Sequence, residues 1–110
     1  MLNNKSIEYK GVKYELVFNL NVMEKIQEKY ETLDNWGELT EKANAKAIKF
    51  GITEMINEGI DIENETAEVK REFLTEKQVG RIISEIGIEQ VNKQLSNTVI
   101  DSTKNDEKNA

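Results

Sequence analysis

The alternation of apolar and polar residues between Ile7 and Phe18 constrains the fold of this chain more than any other feature. If Lys10 and Gly11 form a two-residue loop, the flanking segments pair as antiparallel strands. This register pairs Ile7 with Tyr14, Glu8 with Lys13 and Tyr9 with Val12, and it puts Ile7, Tyr9, Val12, Tyr14, Leu16 and Phe18 on one face. A shift by one residue would divide this apolar set between both faces. The chain is therefore predicted to begin with a β-hairpin.

After Phe18 the apolar residues follow a period close to 3.6, which predicts helices. Asn21 and Glu24 have the spacing of a capping box, so the first helix is predicted to begin at Asn21 and to end near Glu31. A short second segment starts at Leu33 and Asp34.

A longer helix is predicted from Glu38 or Thr40 to Glu58. Gly59 would end it in the left-handed C′ conformation, which would let Ile60 fold back against Met55. Residues 61–73 are dense in charge and lack a clear period, so they are predicted to form a mobile surface loop.

Thr75 and Gln78 form the clearest capping box in the sequence, and the helix that they start is predicted to end at Gly87. A last helix follows from Ile88, and residues 101–110 are predicted to be disordered because they carry almost no apolar side chain. The sequence thus predicts one domain over residues 1–100, of α+β class and mainly α, with an N-terminal β-hairpin, about four helices and a disordered C-terminal tail.

Composition argues against several classes of function. The chain has 110 residues with no cysteine and no histidine, so the usual nucleophile–base pairs and zinc ligands have no side chains to use. We therefore expect no enzymatic activity, no cofactor and no metal site. The acidic residues Glu58, Asp61, Glu63 and Glu65 do not have the spacing of an EF-hand, and a solvated loop is the better interpretation. The apolar runs are too short for a bilayer, which favours a cytoplasmic protein without membrane contact.

The segment from Thr75 to Leu95 has the length of a helix-turn-helix motif with Gly87 in the turn, which leaves a small DNA-binding regulator as an alternative. Ile83 is bulky where a small residue would be needed, and the second helix offers Lys93 as its one basic residue. The formal net charge of the chain is -6. Nucleic acid is therefore an improbable partner, and two ordinary antiparallel helices are the default interpretation.

Small residues recur every four positions in the long predicted helix, at Ala43, Ala47 and Gly51, with Phe50 beside them. They lie away from the main apolar face of that helix, so the helix has two apolar sides. One interpretation is burial from two directions, by the hairpin and by the C-terminal helices. The other is a groove for a partner or for self-association, with Phe50 and Trp36 as anchors. The candidate partner-binding residues are Trp36, Ala43, Ala47, Phe50 and Gly51.

The segment from Gly11 to Trp36, GVKYELVFNLNVMEKIQEKYETLDNW, resembles the N-terminal part of the tail assembly chaperones of long-tailed bacteriophages and prophages. The family's strand pattern G-x-x-Y-x-L-x-F is matched by Gly11, Tyr14, Leu16 and Phe18. The end of its first helix is matched by Lys29, Tyr30, Leu33 and Asp34. Glu31 stands where glycine is common in the family, and residues 61–73 do not align with it.

The resemblance implies a function in binding. Members of this family are expected to coat the tape-measure protein, to keep its apolar coiled segments in solution and to help recruit tail-tube subunits during virion morphogenesis. They are absent from the finished virion, and many also exist in a longer frameshifted form. A structural head–tail component, which would be retained in the particle, is a further alternative.

Overall fold

The computed structural model describes the backbone of residues 5–109 and the side chains of residues 5–102. The strands β1 (Ser6–Tyr9) and β2 (Val12–Glu15) form an antiparallel hairpin. Five helices follow: α1 (Leu20–Tyr30), α2 (Leu33–Glu41), α3 (Ala45–Asn64), α4 (Glu76–Ile86) and α5 (Ile88–Asn109). The predicted class, α+β and mainly helical with an N-terminal hairpin, is confirmed.

The hairpin has the predicted register, with Ile7 opposite Tyr14 and Tyr9 opposite Val12. Both loop residues have positive φ, 53° at Lys10 and 80° at Gly11, as a two-residue hairpin loop requires when it follows the twist of its strands. Val12 lies on the predicted face but is 42% exposed, next to the loop.

The N-cap of the first helix is Asn19 rather than the predicted Asn21, and the helix begins at Leu20. The Oδ1 atom of Asn19 accepts a hydrogen bond from the Val22 amide at 3.3 Å. Asn21 lies in the first turn, where its side-chain amide donates to Glu58 of α3 at 3.1 Å. Asn19 also donates to Glu58, at 2.8 Å, so a contact between two helices decides which asparagine caps α1.

The predicted start of the long helix at Glu38 or Thr40 is also wrong. The short second segment continues as α2 to Glu41, and the chain turns through Ala43, which has a φ of 59°. Asn44 then caps α3 by accepting a hydrogen bond from the Ala47 amide at 3.0 Å. Ala43 is therefore an exposed residue of the turn and not part of a helical stripe.

The long helix ends later than predicted, because Gly59 lies inside α3 and does not terminate it. A Cβ atom at this position would come within 2.8 Å of the carbonyl oxygen of Glu15. Gly59 therefore lets the end of β2 pack directly against the backbone of α3. The predicted loop 61–73 is helical as far as Asn64, and the connection to α4 comprises residues 65–75.

The predicted start and end of α4 are confirmed. Thr75 and Gln78 form a complete capping box, in which each side chain accepts a hydrogen bond from the other residue's backbone amide. Gly87 has a φ of 113° and its amide donates to the Ile83 carbonyl at 2.8 Å. A single residue thus joins α4 to α5.

The predicted disordered tail begins too early. Asp101 forms an ion pair with Lys5 at 3.0 Å, and the Ser102 hydroxyl donates to the Phe18 carbonyl at 3.0 Å. These contacts order the chain through Ser102, because they join it to the start of the hairpin and to the segment that follows β2. The prediction for residues 103–110 lies outside the residues whose side chains are described.

The central element is α3, which contacts β2 and each of the other helices. Its residues Ile48, Ile52, Met55 and Ile56 are completely buried. The other large side chains with almost no exposed surface come from α1, α4 and α5: Val22, Ile26, Val79, Val91 and Leu95. The hairpin covers one end of this helical core.

Candidate functional site

The second apolar side of α3 is covered by α2, and Trp36 makes the main contact. Its indole Nε1–H donates to the Ala47 carbonyl at 3.0 Å, and the residue is 3% exposed. A Cβ atom at Gly51 would come within 2.5 Å of the Trp36 ring. The absence of a side chain at Gly51 is therefore what allows the indole to lie against α3.

Phe50, the proposed anchor, is also buried. Tyr30 of α1 packs its ring edge-on against Phe50 with 5.8 Å between centroids, and the Lys29 ammonium lies 4.9 Å from the Phe50 centroid. Contact of a partner with Ala47, Phe50 or Gly51 would require α1 or α2 to move away from α3.

The sequence left two interpretations of these residues open, burial of α3 from two directions or a groove for a partner. Their packing matches burial from two directions. The covering elements differ from the expected ones. The side that carries Ala47, Phe50 and Gly51 is covered by α1 and α2, whereas the hairpin had been expected on one side of α3 and the C-terminal helices on the other. Of the candidate partner-binding residues, Ala43 is exposed in the α2–α3 turn, and Trp36 has one edge on a surface groove.

That groove, which we name the α2 groove, has a volume of about 530 Å³. Its floor is apolar and formed by Phe18, Met23, Leu33, Trp36, Gly37 and Val99. The rings of Phe18 and Trp36 are stacked, with 6.2 Å between centroids and 10° between planes. Phe18 is 8% and Trp36 is 3% exposed, so this pair supports the floor from within the core and presents little surface of its own.

The rim of the α2 groove is acidic and consists of Asp34, Glu38 and Glu41, all exposed residues of α2. These carboxylates form no ion pair within residues 5–102. An apolar floor with an unpaired acidic rim is suited to a peptide segment that carries apolar and basic side chains on one face.

A second groove, the α4 groove, lies between α3 and α4 beside the start of α5 and has a volume of about 750 Å³. It contains Gly80, a glycine in the interior of α4 that the sequence analysis did not single out. The sequence nevertheless contained a signal for this residue, because Gly80 is an isolated glycine inside a helical pattern. Such a glycine lowers the stability of its helix and usually has a role in packing or function.

The α3–α4 connection carries exposed apolar side chains, of which Val69 is 83% and Phe73 is 55% exposed. Two asparagines of α3 hold this connection against the helix. Asn57 exchanges two hydrogen bonds with the backbone of Leu74, at 2.8 and 2.9 Å. Asn64 exchanges two with the backbone of Arg71, both at 2.9 Å.

The helices considered for DNA binding are α4 and the start of α5. Ile83, at the position where a helix-turn-helix needs a small residue, is buried in the core. The exposed residues on the first turns of α5 are Glu89, Gln90, Lys93, Ser96 and Asn97. The first turns of α5 thus provide one cation for phosphate contacts, which argues against α5 as a recognition helix.

The search for a metal site covers the described residues, and within them no three acidic side chains are grouped so that they could bind an ion. None of the helices in this part of the chain is long and apolar enough to cross a membrane.

Comparison of the chain with protein-family models, with curated proteins and with solved structures gives no match.

Proposed function

We propose that this chain is a phage or prophage tail assembly chaperone, which binds the tape-measure protein in the cytoplasm of the bacterial host and helps recruit tail-tube subunits. The proposal rests on the resemblance of residues 11–36 to that family, together with the location of the residues that carry it. Leu16 and Phe18 are buried framework residues, and Tyr30 packs against Phe50.

The single observation that carries the proposal is the position of this segment at the α2 groove. Phe18 is distant in sequence from Leu33, Asp34 and Trp36, and all four line that groove. Phe18 and Trp36 belong to the core, whereas Asp34 is exposed at the rim, so the segment contributes to a surface as well as to the core. We therefore assign the α2 groove as the contact site for the tape-measure protein.

The chemistry of the groove suits a chaperone for long helical chains. Apolar residues of the partner would contact the half-buried Met23 and Leu33, and basic residues beside them would meet the acidic rim on α2. A shallow groove gives weak individual contacts, and many copies along one long chain would bind through avidity. The net charge of -6 would keep the coated complex in solution.

The experiment is co-expression with the long coiled-coil protein encoded beside this chain, with solubility and co-elution as the measurements. If the function is correct, the long protein becomes soluble only with this chain and elutes with several copies bound. If the long protein stays insoluble and nothing co-elutes, the chaperone function is wrong. Recovery of this chain in mature particles would instead indicate a structural head–tail component.

Charge reversal on the rim tests the site separately from the function. We expect Glu38→Lys/Glu41→Lys to reduce co-elution by about tenfold, which corresponds to about 1.4 kcal/mol of binding free energy. Both residues lie in the second half of α2, where lysine interacts favourably with the helix dipole, so the fold should be retained.

The matched control is Glu68→Lys/Glu72→Lys, which makes the same change in net charge on the exposed α3–α4 connection. Equal loss of co-elution in both double variants would show that only overall charge matters, and the α2 groove would then not be the site. A salt-dependent affinity for duplex DNA in the unmodified chain would support the regulator instead.

A further inference from the structure

We propose that the α4 groove is a second docking site, and that its occupant is an amphipathic helix with acidic residues beside its apolar face. The proposal does not depend on the chaperone function, because it rests on the charge, shape and packing of the α4 groove alone. Three observations carry it: the distribution of cations, the nature of the floor and the presence of Gly80.

The α4 groove gathers positive charge on an acidic molecule. Lys46 and Lys49 of α3 line it, and Lys77 and Arg81 of α4 line a contiguous depression that shares Lys49, Gly80 and Ser84. The ion pairs within residues 5–102 are Lys5–Asp101, Lys13–Glu15 and Arg71–Glu63, so none of the four cations is paired there. Four unpaired cations on a chain with a net charge of -6 create a local field that attracts an acidic partner.

The nearby carboxylates do not cancel this charge. Glu76 lies at the N-terminal end of α4, and Glu85 accepts a hydrogen bond from the Tyr9 hydroxyl at 2.7 Å. The cations therefore outnumber the carboxylates that line the two depressions by four to two.

The floor of the α4 groove is apolar and contains no aromatic ring. Ile83, Ile88 and Ala45 line it together with Gly80. Binding of single-stranded nucleic acid would call for aromatic rings on which bases stack, and duplex binding would call for a wider basic surface. Aliphatic side chains between cations are instead suited to the leucine or isoleucine face of a helix that is flanked by glutamate or aspartate.

Gly80 lies in the groove, and among the described residues no backbone or rigid side chain occupies the space that its side chain would take. A Cβ atom at Gly51 or Gly59 would collide with Trp36 or with the Glu15 carbonyl, whereas a Cβ atom at Gly80 would meet only the flexible Lys49 side chain, at 3.3 Å. Glycine inside a helix lowers its stability relative to alanine. Ser84 lies one turn further along α4, so the two small residues leave room for the backbone of a second helix to come close.

The experiment uses the full chain and two synthetic helical peptides about five turns long. Both peptides have the same leucine face, which is flanked by glutamate in one and by lysine in the other. Fluorescence anisotropy is measured on the Glu38→Gln/Glu41→Gln variant, whose α2 groove has lost two of the three rim carboxylates that would attract the lysine peptide. It should show that the glutamate peptide binds at least about tenfold more tightly, with an affinity that falls as salt is added. Equal binding of both peptides, or binding of neither, would overturn the proposal.

The decisive variant is Gly80→Ala, because it should bind less tightly although it folds at least as well. We expect the glutamate peptide to lose about tenfold in affinity while the melting temperature stays the same or rises by a few degrees. Ser96→Ala is the control, since Ser96 is an exposed helical residue of α5 that lines neither the α4 groove nor the α2 groove. If Gly80→Ala binds the peptide as tightly as Ser96→Ala does, the proposal is wrong.

Charge reversal gives an independent test. We expect Lys46→Glu/Arg81→Glu to lose the preference for the glutamate peptide, whereas Lys42→Glu/Lys93→Glu should keep it because these two exposed residues do not line the groove. A change in oligomeric state caused by Lys46→Glu/Arg81→Glu or by Gly80→Ala would show that a second copy occupies the groove, which would contradict an occupant from another protein.

Discussion

Single residues decide how closely the elements of this domain approach one another. The sequence contains six glycines at separate positions, and their roles differ. Gly51 makes room for Trp36 and Gly59 makes room for the end of β2, whereas Gly37 and Gly80 face open space or a flexible side chain. The sequence pattern predicts only that a glycine inside a helix weakens that helix. It does not predict which atom packs against the glycine, because that atom belongs to a distant part of the chain.

The end of α1 carries a backbone conformation that its residue does not favour. Glu31 is the C-cap of α1 and has a φ of 75°, a region that side chains with a Cβ atom rarely adopt. It also stands where the tail assembly chaperones that residues 11–36 resemble commonly have glycine. Glycine would adopt this φ without a steric cost.

We predict that Glu31→Gly stabilises the protein by about 1 kcal/mol, because glycine adopts positive φ without the steric cost that glutamate bears. Chemical denaturation would measure the change in the free energy of unfolding. Glu28→Gly is the control, since Glu28 lies inside the same helix and glycine there should destabilise by about 1 kcal/mol. Destabilisation by Glu31→Gly would show that the positive φ carries no strain.

At the scale of the elements, α3 organises both the core and the connection that follows it. Asn57 and Asn64 are seven residues apart, about two helical turns, so their side chains lie on one face of α3. Each offers one acceptor and one donor to the backbone of residues 65–75, at Leu74 and at Arg71. The connection lacks regular secondary structure, and these four hydrogen bonds satisfy its backbone in place of a strand partner.

We predict that Asn57→Leu destabilises the protein by about 2 kcal/mol, because the amide and carbonyl of Leu74 lose their partners while remaining half-buried. Hydrogen exchange at the Leu74 amide should become much faster, and denaturation should give the matching loss of stability. Asn97→Leu, an exposed change on α5, should leave both unchanged. Unchanged exchange at Leu74 in the Asn57 variant would contradict the role assigned to this asparagine.

At the scale of the whole molecule, like charges from three helices gather around Glu54 of α3. Burial is the main cause that raises the pKa of the Glu54 carboxyl above its ordinary value, and the carboxylates of Glu76, Glu28 and Glu58 raise this pKa further. The Lys25 ammonium acts in the opposite direction. An acidic chain thus concentrates part of its negative charge where α1, α3 and α4 meet.

The raised pKa makes a prediction for stability against pH. The folded state holds the Glu54 proton more tightly than the unfolded state does, so the stability that this proton contributes is complete below the unfolded pKa and is lost as the pH rises through the folded pKa. We expect Glu54→Gln to be more stable than the unmodified protein at neutral pH. The advantage should shrink as the pH falls through the raised pKa of the folded state, and it should be lost below the ordinary glutamate value of 4.5.

Denaturation curves at several pH values would measure this difference. Glu24→Gln, an exposed change on α1, is the control and should show no such dependence. A difference between Glu54→Gln and the unmodified protein that stays constant with pH would exclude ionisation as the cause.

The sequence by itself determined the features that depend on neighbouring residues. The hairpin register follows from a period of two around one short loop, and the start of α4 follows from Thr75 and Gln78, which are three residues apart. The turn at Gly87 likewise needs only one residue that tolerates positive φ. Each of these features is determined by a few residues that are close together in sequence, so the sequence pattern is enough to predict it.

Only the tertiary structure decided where α3 begins and ends and what covers its second side. Gly59 has the local appearance of a helix end, and it stays helical because β2 packs against it. Ala47 and Gly51 have the appearance of an open stripe, and Trp36 of α2 occupies it. Local propensities differ by about 1 kcal/mol or less between such alternatives, whereas burial of one large aromatic side chain contributes about 2 kcal/mol or more. Contacts between distant residues therefore override the local pattern at these positions.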